Sequence, residues 1–559
     1  MKSLRCSQQS GRAPLLFGAA FGALSLFTAG PAAASSGIDS PESGVVQAGR
    51  GGAWLARADD PLAVYYNPAA MSFQASGVHL GVHLMFPTRC FTRQGPGGSA
   101  VSPGGGLPGP GAEPSNAKEV PPDAAVCAEY KFFPNPQIAG VYRINDRMAV
   151  GLGIVAPHAA GHAIWPESVP YTNKFGLSQD KDGNPITQPA PNRYMLTESD
   201  AKIFFPTLSF SYAPTENLSF GAGLVMGVAL VSFTNFAETL SSPRADSATS
   251  DNLSSDIRAK LTAKDLFVPG FVLSGLWSAT PNLDVAGWFK WMDAVKTDQG
   301  SIHFDSNVWE KNGSKSDAPL GTDANNVATL TFRLPMEAKL GVRYHQARVG
   351  VTGPAWSTKP GRKVRDPMSQ DLFDVELDFT WSNNSTVDNL NLSFPKANDF
   401  GLSTVKVNLG SGTFANVPIN ADVAHHWKDV VGIRLGGDFV AIPNRLSLRA
   451  GGFFETKGQD DAYLNIDFHN SEKGGLSLGG TVRLGPIDVS AAYQHTFYGT
   501  LDNKGVGAVT ALSGDGAGCP KGQQNPTAGP GCFRSQQAIN GGQLRSTLDE
   551  LGIAGTMRF

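Results

Sequence analysis

The chain has 559 residues, with 45 lysines and arginines against 48 aspartates and glutamates, so its formal charge of -3 lacks the basic excess that nucleic-acid binding requires. Charged residues are 17% of the chain and glycine supplies 65 positions, a balance poorer in charge and richer in glycine than that of water-soluble domains. Beyond the N-terminus no apolar run reaches the ~18 residues of a spanning helix, which excludes a helical membrane protein and leaves one large β-barrel as a fitting class.

The first residues predict export. Lys2, Arg5 and Arg12 give a positive start, Leu15 to Phe27 is mostly apolar, and Ala32, Ala33 and Ala34 offer small residues for cleavage. Residues 1–34 therefore read as a signal peptide. The mature chain keeps Cys90, Cys127, Cys519 and Cys532, an even number in an oxidising compartment and at spacings that match no zinc pattern.

From Val78 the sequence alternates, with Val78, Leu80, Val82, Leu84 and Phe86 on one face of a strand and His79, Gly81 and His83 on the other. The pattern returns along the chain, as at Met148, Val150, Leu152 and Ile154, and at Leu283, Val285, Phe289 and Trp291. Fourteen segments qualify, beginning near residues 77, 135, 147, 203, 217, 265, 282, 332, 371, 428, 445, 474, 487 and 543. An even number suits a single-chain antiparallel barrel, and only a closed barrel satisfies strand backbones in lipid. The expected fold is an all-β transmembrane barrel of about 14 strands.

Connector lengths alternate between long segments and short turns such as Asn145-Asp146, Thr280-Pro281 and Gly485-Pro486, as they do when loops lie outside and turns lie in the periplasm. Residues 346–370 break the rule and read as an inserted, solvated periplasmic segment, with Lys359, Arg362, Lys363 and Arg365 close together. Cys90 and Cys127 fall in the first long connector and Cys519 and Cys532 in the last, which predicts two loop-local disulfides. The last strand ends on Leu551, Ile553, Met557 and Phe559 on one face.

Before the first strand lies a stretch that does not alternate, including Arg50 after a glycine, Asp59-Asp60, and Asn67-Pro68-Ala69. In that order and spacing it resembles the hatch of the FadL/TodX family, outer-membrane transporters of long-chain fatty acids and other hydrophobic compounds. Leu334-Pro335, Leu377 to Ser382, Trp427-Lys428-Asp429 and Leu446 to Gly451 extend the resemblance. It implies a hatch over residues 35–72 that plugs a barrel over residues 73–559. It also implies that ligand moves from the outer loops to a lumenal site and leaves sideways through a gap at a kinked third strand. Gly151, Gly153 and Pro157 have the flexibility for such a gap, and Asn67 is placed to bond strand-edge groups near it.

Inward positions collect charge of both signs: Lys339, Arg343, Arg434 and Arg449 with Asp374, Glu376, Asp378 and Asp438. They form either a lumenal ion-pair network or, through one arginine, a partner for a ligand carboxylate. Trp288 and Phe453 are apolar lumen surface for an acyl chain, or lipid-facing if the register slips by one. Gly475-Leu476-Ser477-Leu478-Gly479 matches a hydrolase nucleophile elbow, but it alternates as a strand with no helix after it. His79 and His83 are too far apart along a strand to share a metal.

The leading expectation is a non-enzymatic, cofactor-free and metal-free passive importer of a fatty acid or hydrocarbon. It is inserted as a monomer among outer-membrane lipids by the barrel assembly machinery, after Sec-type export. A general polar pore and an outer-membrane barrel enzyme are the alternatives.

Overall fold

A computed structural model describes residues 44–94, 125–131, 134–157, 161–170, 172–173, 176–177, 187–238, 252–297, 300–310, 315–316, 327–348, 364–396, 402–408, 414–418, 423–509 and 539–559. Cys519, Cys532, the expected leader over residues 1–34 and the cluster Lys359, Arg362 and Lys363 lie outside these residues.

Fourteen long strands form one antiparallel ring. They are β1 Gly77–Arg93, β2 Pro134–Arg143, β3 Met148–Val155, β4 Glu198–Tyr212, β5 Leu218–Glu238, β6 Asn252–Thr280 and β7 Leu283–Met292 in the first half. The second half comprises β8 Glu337–Ala347, β9 Asp371–Ser382, β10 Val430–Ile442, β11 Leu446–Glu455, β12 Lys473–Leu484, β13 Ile487–Tyr498 and β14 Gly542–Arg558. Each pairs with its sequence neighbours, and β14 closes on β1 in unbroken register from Gly77 opposite Arg558 to Arg93 opposite Gly542. Closure removes the edges that would otherwise offer unpaired backbone groups. Three predicted starts differ: β4 begins at residue 198 rather than near 203, β6 at 252 rather than near 265, and β8 at 337, after Leu334 and Pro335.

Alternation decides which face is which. His79 and His83 point inward and are buried, whereas Leu80, Leu152, Leu224, Leu476 and Leu478 are each more than 60% exposed on the outer wall. Burying such a side chain is worth about 1.5–3 kcal/mol, so a wall that leaves dozens of them outward is built for hydrocarbon, not water. Trp288 and Phe453 are inward and buried, which fixes the register that the sequence left open. Ser477 sits inward in the regular strand β12 and donates to the Gly451 carbonyl at 3.2 Å, without the turn a nucleophile elbow needs.

The short turns and both ends of the ring share one rim, where the Phe559 amide donates to the Ser76 carbonyl. The longer connectors carry short strands at the opposite end, and there Cys90 and Cys127 face each other and form a disulfide, as expected. At the short-turn rim, the end of the 346–370 insertion forms a turn of helix at Pro367–Gln370. Asp366 beside it pairs with Arg483 at 2.7 Å. Arg365 is mostly buried, pairing with Asp284 at 3.1 Å and lying over the Phe73 ring, so this part is a packed clasp and not the solvated segment expected.

Candidate functional site

Residues 44–74 are buried except for the half-buried Gly52 and Asp59, and they pack against inward side chains of strands from around the ring. Two short helical turns, Val45–Ala48 and Ala63–Tyr66, and a 3-10 turn, Pro68–Phe73, punctuate them. A segment with so little regular structure leaves many backbone groups that the wall has to satisfy.

Strand β9 supplies most of the anchor. Asp374, Glu376 and Asp378 alternate along it, so all three carboxylates point inward. Asp378 accepts from the Trp54 and Leu55 amides at 3.0 and 3.1 Å, and Glu376 accepts from the Ala56 and Arg57 amides at 2.5 and 3.2 Å. Arg50, wholly buried, donates to Asp374 at 2.7 Å, to Asp438 of β10 at 2.6 Å and to Glu376 at 3.3 Å. Arg57 adds a bond to Asp374 at 2.5 Å and an ion pair with Asp59 at 3.1 Å. The inward charges are thus an ion-pair network whose cations include two arginines of the inner segment. Backbone approach is close here: a side chain at Gly436 or Gly451 would overlap the Arg50 carbonyl.

On the other side, hydroxyls receive the Asn67-Pro68-Ala69 turn. Ala69 donates its amide to Ser274 at 2.8 Å, and its carbonyl accepts from Ser219 at 2.7 Å and Ser211 at 3.1 Å. Ser209 donates to the Val64 carbonyl at 2.6 Å. A side chain at Gly221 would overlap Pro68 and Ala69, which explains the glycine. This serine cradle was missed from sequence, although serines repeating at every second position, 209 and 211, were its visible sign.

Asn67 bonds differently from the expectation. Its side-chain amide donates to the Leu55 carbonyl at 2.7 Å, stapling the inner segment to itself rather than to a strand edge. Asp60 accepts from the Leu62 amide at 2.8 Å, and burial, with Asp59 beside it, pushes its carboxyl up to about 7. Asn67→Ala removes a buried bond worth about 1–2 kcal/mol. The expected result is faster proteolytic cleavage within residues 44–74 while the barrel keeps its heat resistance on a gel.

The other site residues have identified neighbours. Arg343 sits among Asp284, Asp371 and Asp374 at 3.2, 2.6 and 2.9 Å. Arg434 donates to Glu455 at 2.6 Å and lies over the Phe453 ring. Arg449 pairs with Asp438 at 3.2 Å. Trp288 donates to the Tyr65 carbonyl at 2.8 Å, and Lys339 lies 5.3 Å from its ring centre. All five residues proposed to meet ligand therefore pack within the anchor or beside it.

The wall has one interrupted stretch among the described residues of β2 to β4. β2 and β3 pair from Arg143 opposite Ala149 to Ile138 opposite Ile154, and pairing resumes only at Lys131 opposite His162. Against β4, five residues separate Val155 from Gly161 where their partners Phe205 and Ala201 have three between them, an excess of two. Pro134 and Pro136 of β2 have no amide hydrogen to offer across the break, and Asn135 spans it by donating to the Ala156 carbonyl at 3.1 Å.

Gly151 and Gly153 lie below the break, in regular pairing. A side chain at Gly151 would overlap Val64, so that glycine makes room for the inner segment rather than bending the strand. Pro157 does fall at the break. The Pro-Asn-Pro of β2 was the better sequence signal, because it removes donors where pairing stops.

No protein-family model matches the chain, and no curated protein matches it in sequence. Solved structures do match in fold. A Pseudomonas aeruginosa FadL homologue superposes at a TM-score of 0.58 with 15% identity, over 93% of this chain and 99% of that one. The P. putida toluene transporter TodX superposes at 0.53 with 12% identity, over 93% and 99%. The chain shares the fold of these two proteins.

Proposed function

We propose that the protein is an outer-membrane channel for passive uptake of hydrophobic compounds. In this reading residues 44–74 form a hatch across the lumen, and cargo leaves sideways into the bilayer through the break between β2 and β3. The single observation that carries it is that break: among the described residues, the ladder between β2 and β3 stops where two prolines and a lone asparagine bridge stand in a hydrocarbon-facing wall. A cargo more soluble in lipid than in water gains free energy by leaving through the wall, so no nucleotide or metal is required. The fold shared with a FadL homologue and a toluene transporter supports the reading, and long-chain fatty acids and aromatic hydrocarbons are the cargo classes to test.

The test is uptake of a labelled long-chain fatty acid and of labelled toluene by cells that make the protein, against cells carrying an empty vector. Entry of at least one above the vector rate, without leakage of a small sugar, is the expected result. Sugar leakage with no gain for either compound would favour the general polar pore.

A further inference from the structure

At the end of the barrel that carries the longer connectors, one segment crosses the mouth. Residues 456–472 join β11 to β12, yet they meet elements from the far side of the ring. The Phe468 ring lies 6.0 Å from that of Phe233 on β5, the Ile466 carbonyl accepts from Arg89 on β1 at 3.1 Å, and the Leu464 carbonyl accepts from Asn540, two residues before β14, at 2.9 Å. Leu464, Ile466 and Phe468 are buried. The regular structure of the segment is a single 3-10 turn, Asp461–Tyr463, so its position depends on ties of this kind.

The tie to the neighbouring connector is a buried histidine. His425, near the end of the residues that join β9 to β10, places Nε2 3.1 Å from Asp467 Oδ2 and 3.4 Å from Oδ1, and Nδ1 3.1 Å from the Val423 carbonyl. Both residues are at most 3% exposed. A carboxylate and a carbonyl only accept, so both ring nitrogens donate and the ring is an imidazolium. Beside it, Asn465 donates to the Ala424 carbonyl at 3.0 Å, the Lys428 amide donates to the Gly458 carbonyl at 2.8 Å, and the Trp427 ring stands edge-on to the imidazole at 5.3 Å.

This arrangement has a definite response to pH. Burial works against the charged ring, but the Asp467 charge, its hydrogen bond and the Val423 carbonyl outweigh it and hold the imidazole above its ordinary 6.5. The tie is therefore complete below about 6.5 and is lost as pH rises through the raised value. Losing the proton sets a nitrogen lone pair against an oxygen and leaves Asp467 a buried carboxylate without a countercharge, which water relieves once the segment lifts. The surrounding charges do not duplicate the device. Arg89 donates to the Asp467 carbonyl, and His469 is held well below the ordinary imidazole range by burial, Arg89 and Lys473, so it stays neutral. His426 with Asp388, Lys428 with Asp460 and Lys457 with Asp461 are pairs that solvent reaches and screens.

We propose that His425 and Asp467 form a proton-controlled latch on the mouth: with both imidazole protons in place it holds residues 456–472 across the lumen, and loss of one proton to bulk water frees the segment to lift and admit cargo. The inference rests on the uptake reading for what the opening admits, but movement of the segment is tested without it.

The experiment measures deuterium exchange of the amides of residues 458–468 in the purified full-length protein in detergent, from pH 5.5 to 9.0, for the wild type, His425→Gln, Asp467→Asn and His426→Gln. The ratio of variant to wild-type rate at each pH cancels the intrinsic pH dependence of exchange. His425→Gln is expected to exchange about tenfold faster than the wild type at pH 5.5 and at the wild-type rate at pH 9.0, with the change centred above pH 6.5. Asp467→Asn, which keeps the shape of the side chain, is expected to lose the same protection, and His426→Gln to follow the wild type. Heat resistance on a gel confirms that each variant is folded. A ratio for His425→Gln that stays constant from pH 5.5 to 9.0 overturns the latch, as does loss of the pH dependence in His426→Gln. In cells, wild-type uptake of toluene or of a fatty acid is expected to lie several-fold below that of His425→Gln at pH 6.0 and to match it at pH 8.0. Equal uptake by both at pH 6.0 overturns the gating role. A pH-dependent exchange ratio without uptake of either compound at any pH sustains the latch and sinks the uptake reading, so the two failures are distinguishable.

Discussion

Arg50→Leu is expected to release the inner segment while leaving the barrel closed. The guanidinium binds Asp374, Asp438 and Glu376, all buried, and its removal leaves these carboxylates facing one another with Arg57 as the remaining cation from the inner segment. Breaking a buried ion pair by removing one partner costs about 3–5 kcal/mol, because the uncompensated charge stays behind. That energy falls on the segment and not on the strand ladder, whose bonds run from wall to wall. Two measurements check it. Limited proteolysis should cut within residues 44–74 at least tenfold faster than in the wild type, and cells making the variant should admit a small sugar that the wild type excludes. A companion variant, Arg50→Leu with Asp438→Asn, removes one of the stranded charges and should recover part of the protease resistance. If Arg50→Leu is cut at the wild-type rate, the charge network is not what seats the segment.

The second large effect is expected at the break. Deleting His158 and Ala159 removes the excess of two residues between Val155 and Gly161, and an even deletion keeps every inward side chain inward. The ladder between β3 and β4 is then expected to run without interruption, which holds the β3 side of the break against β4. Uptake of whichever hydrophobic compound the wild type carries should fall to the vector level, with the protein still heat-resistant and still tight to sugar. Uptake at the wild-type rate in the folded deletion variant would exclude lateral exit at this place. The outcome does not depend on Arg50, since the anchor lies on β9 and β10 and the break lies on β2 and β3.

The two variants touch the two parts of the molecule that differ most in how well they could be read beforehand. The fourteen strands were legible because alternation is local: a strand between hydrocarbon and a polar lumen must change character at every step, and Leu80, Leu152 and Leu476 mark the outer face without reference to any partner. Short turns such as Asn145-Asp146 and Gly485-Pro486 were legible for the same reason, since backbone preference is set within a few residues; Gly485 indeed has φ of 64°. The first-loop disulfide followed from two cysteines sharing one connector.

The use made of the lumen was not legible. An inward Asp374 or Arg343 has the same local pattern whether it binds a ligand, a neighbouring strand or the inner segment, and its partner Arg50 stands 324 residues away in the chain. Gly151 reads as a hinge in sequence, yet Val64 occupies the space its missing side chain leaves. Asn67 was expected at a strand edge and instead closes a loop onto Leu55. Alternation thus determined which residues face the lumen, because that depends on one strand and its two solvents. Which of them anchor and which make room was decided only when closure of the ring brought β9, β10 and the serines of β4 to β6 around residues 44–74, since a buried polar group is defined by what it meets rather than by the residues beside it.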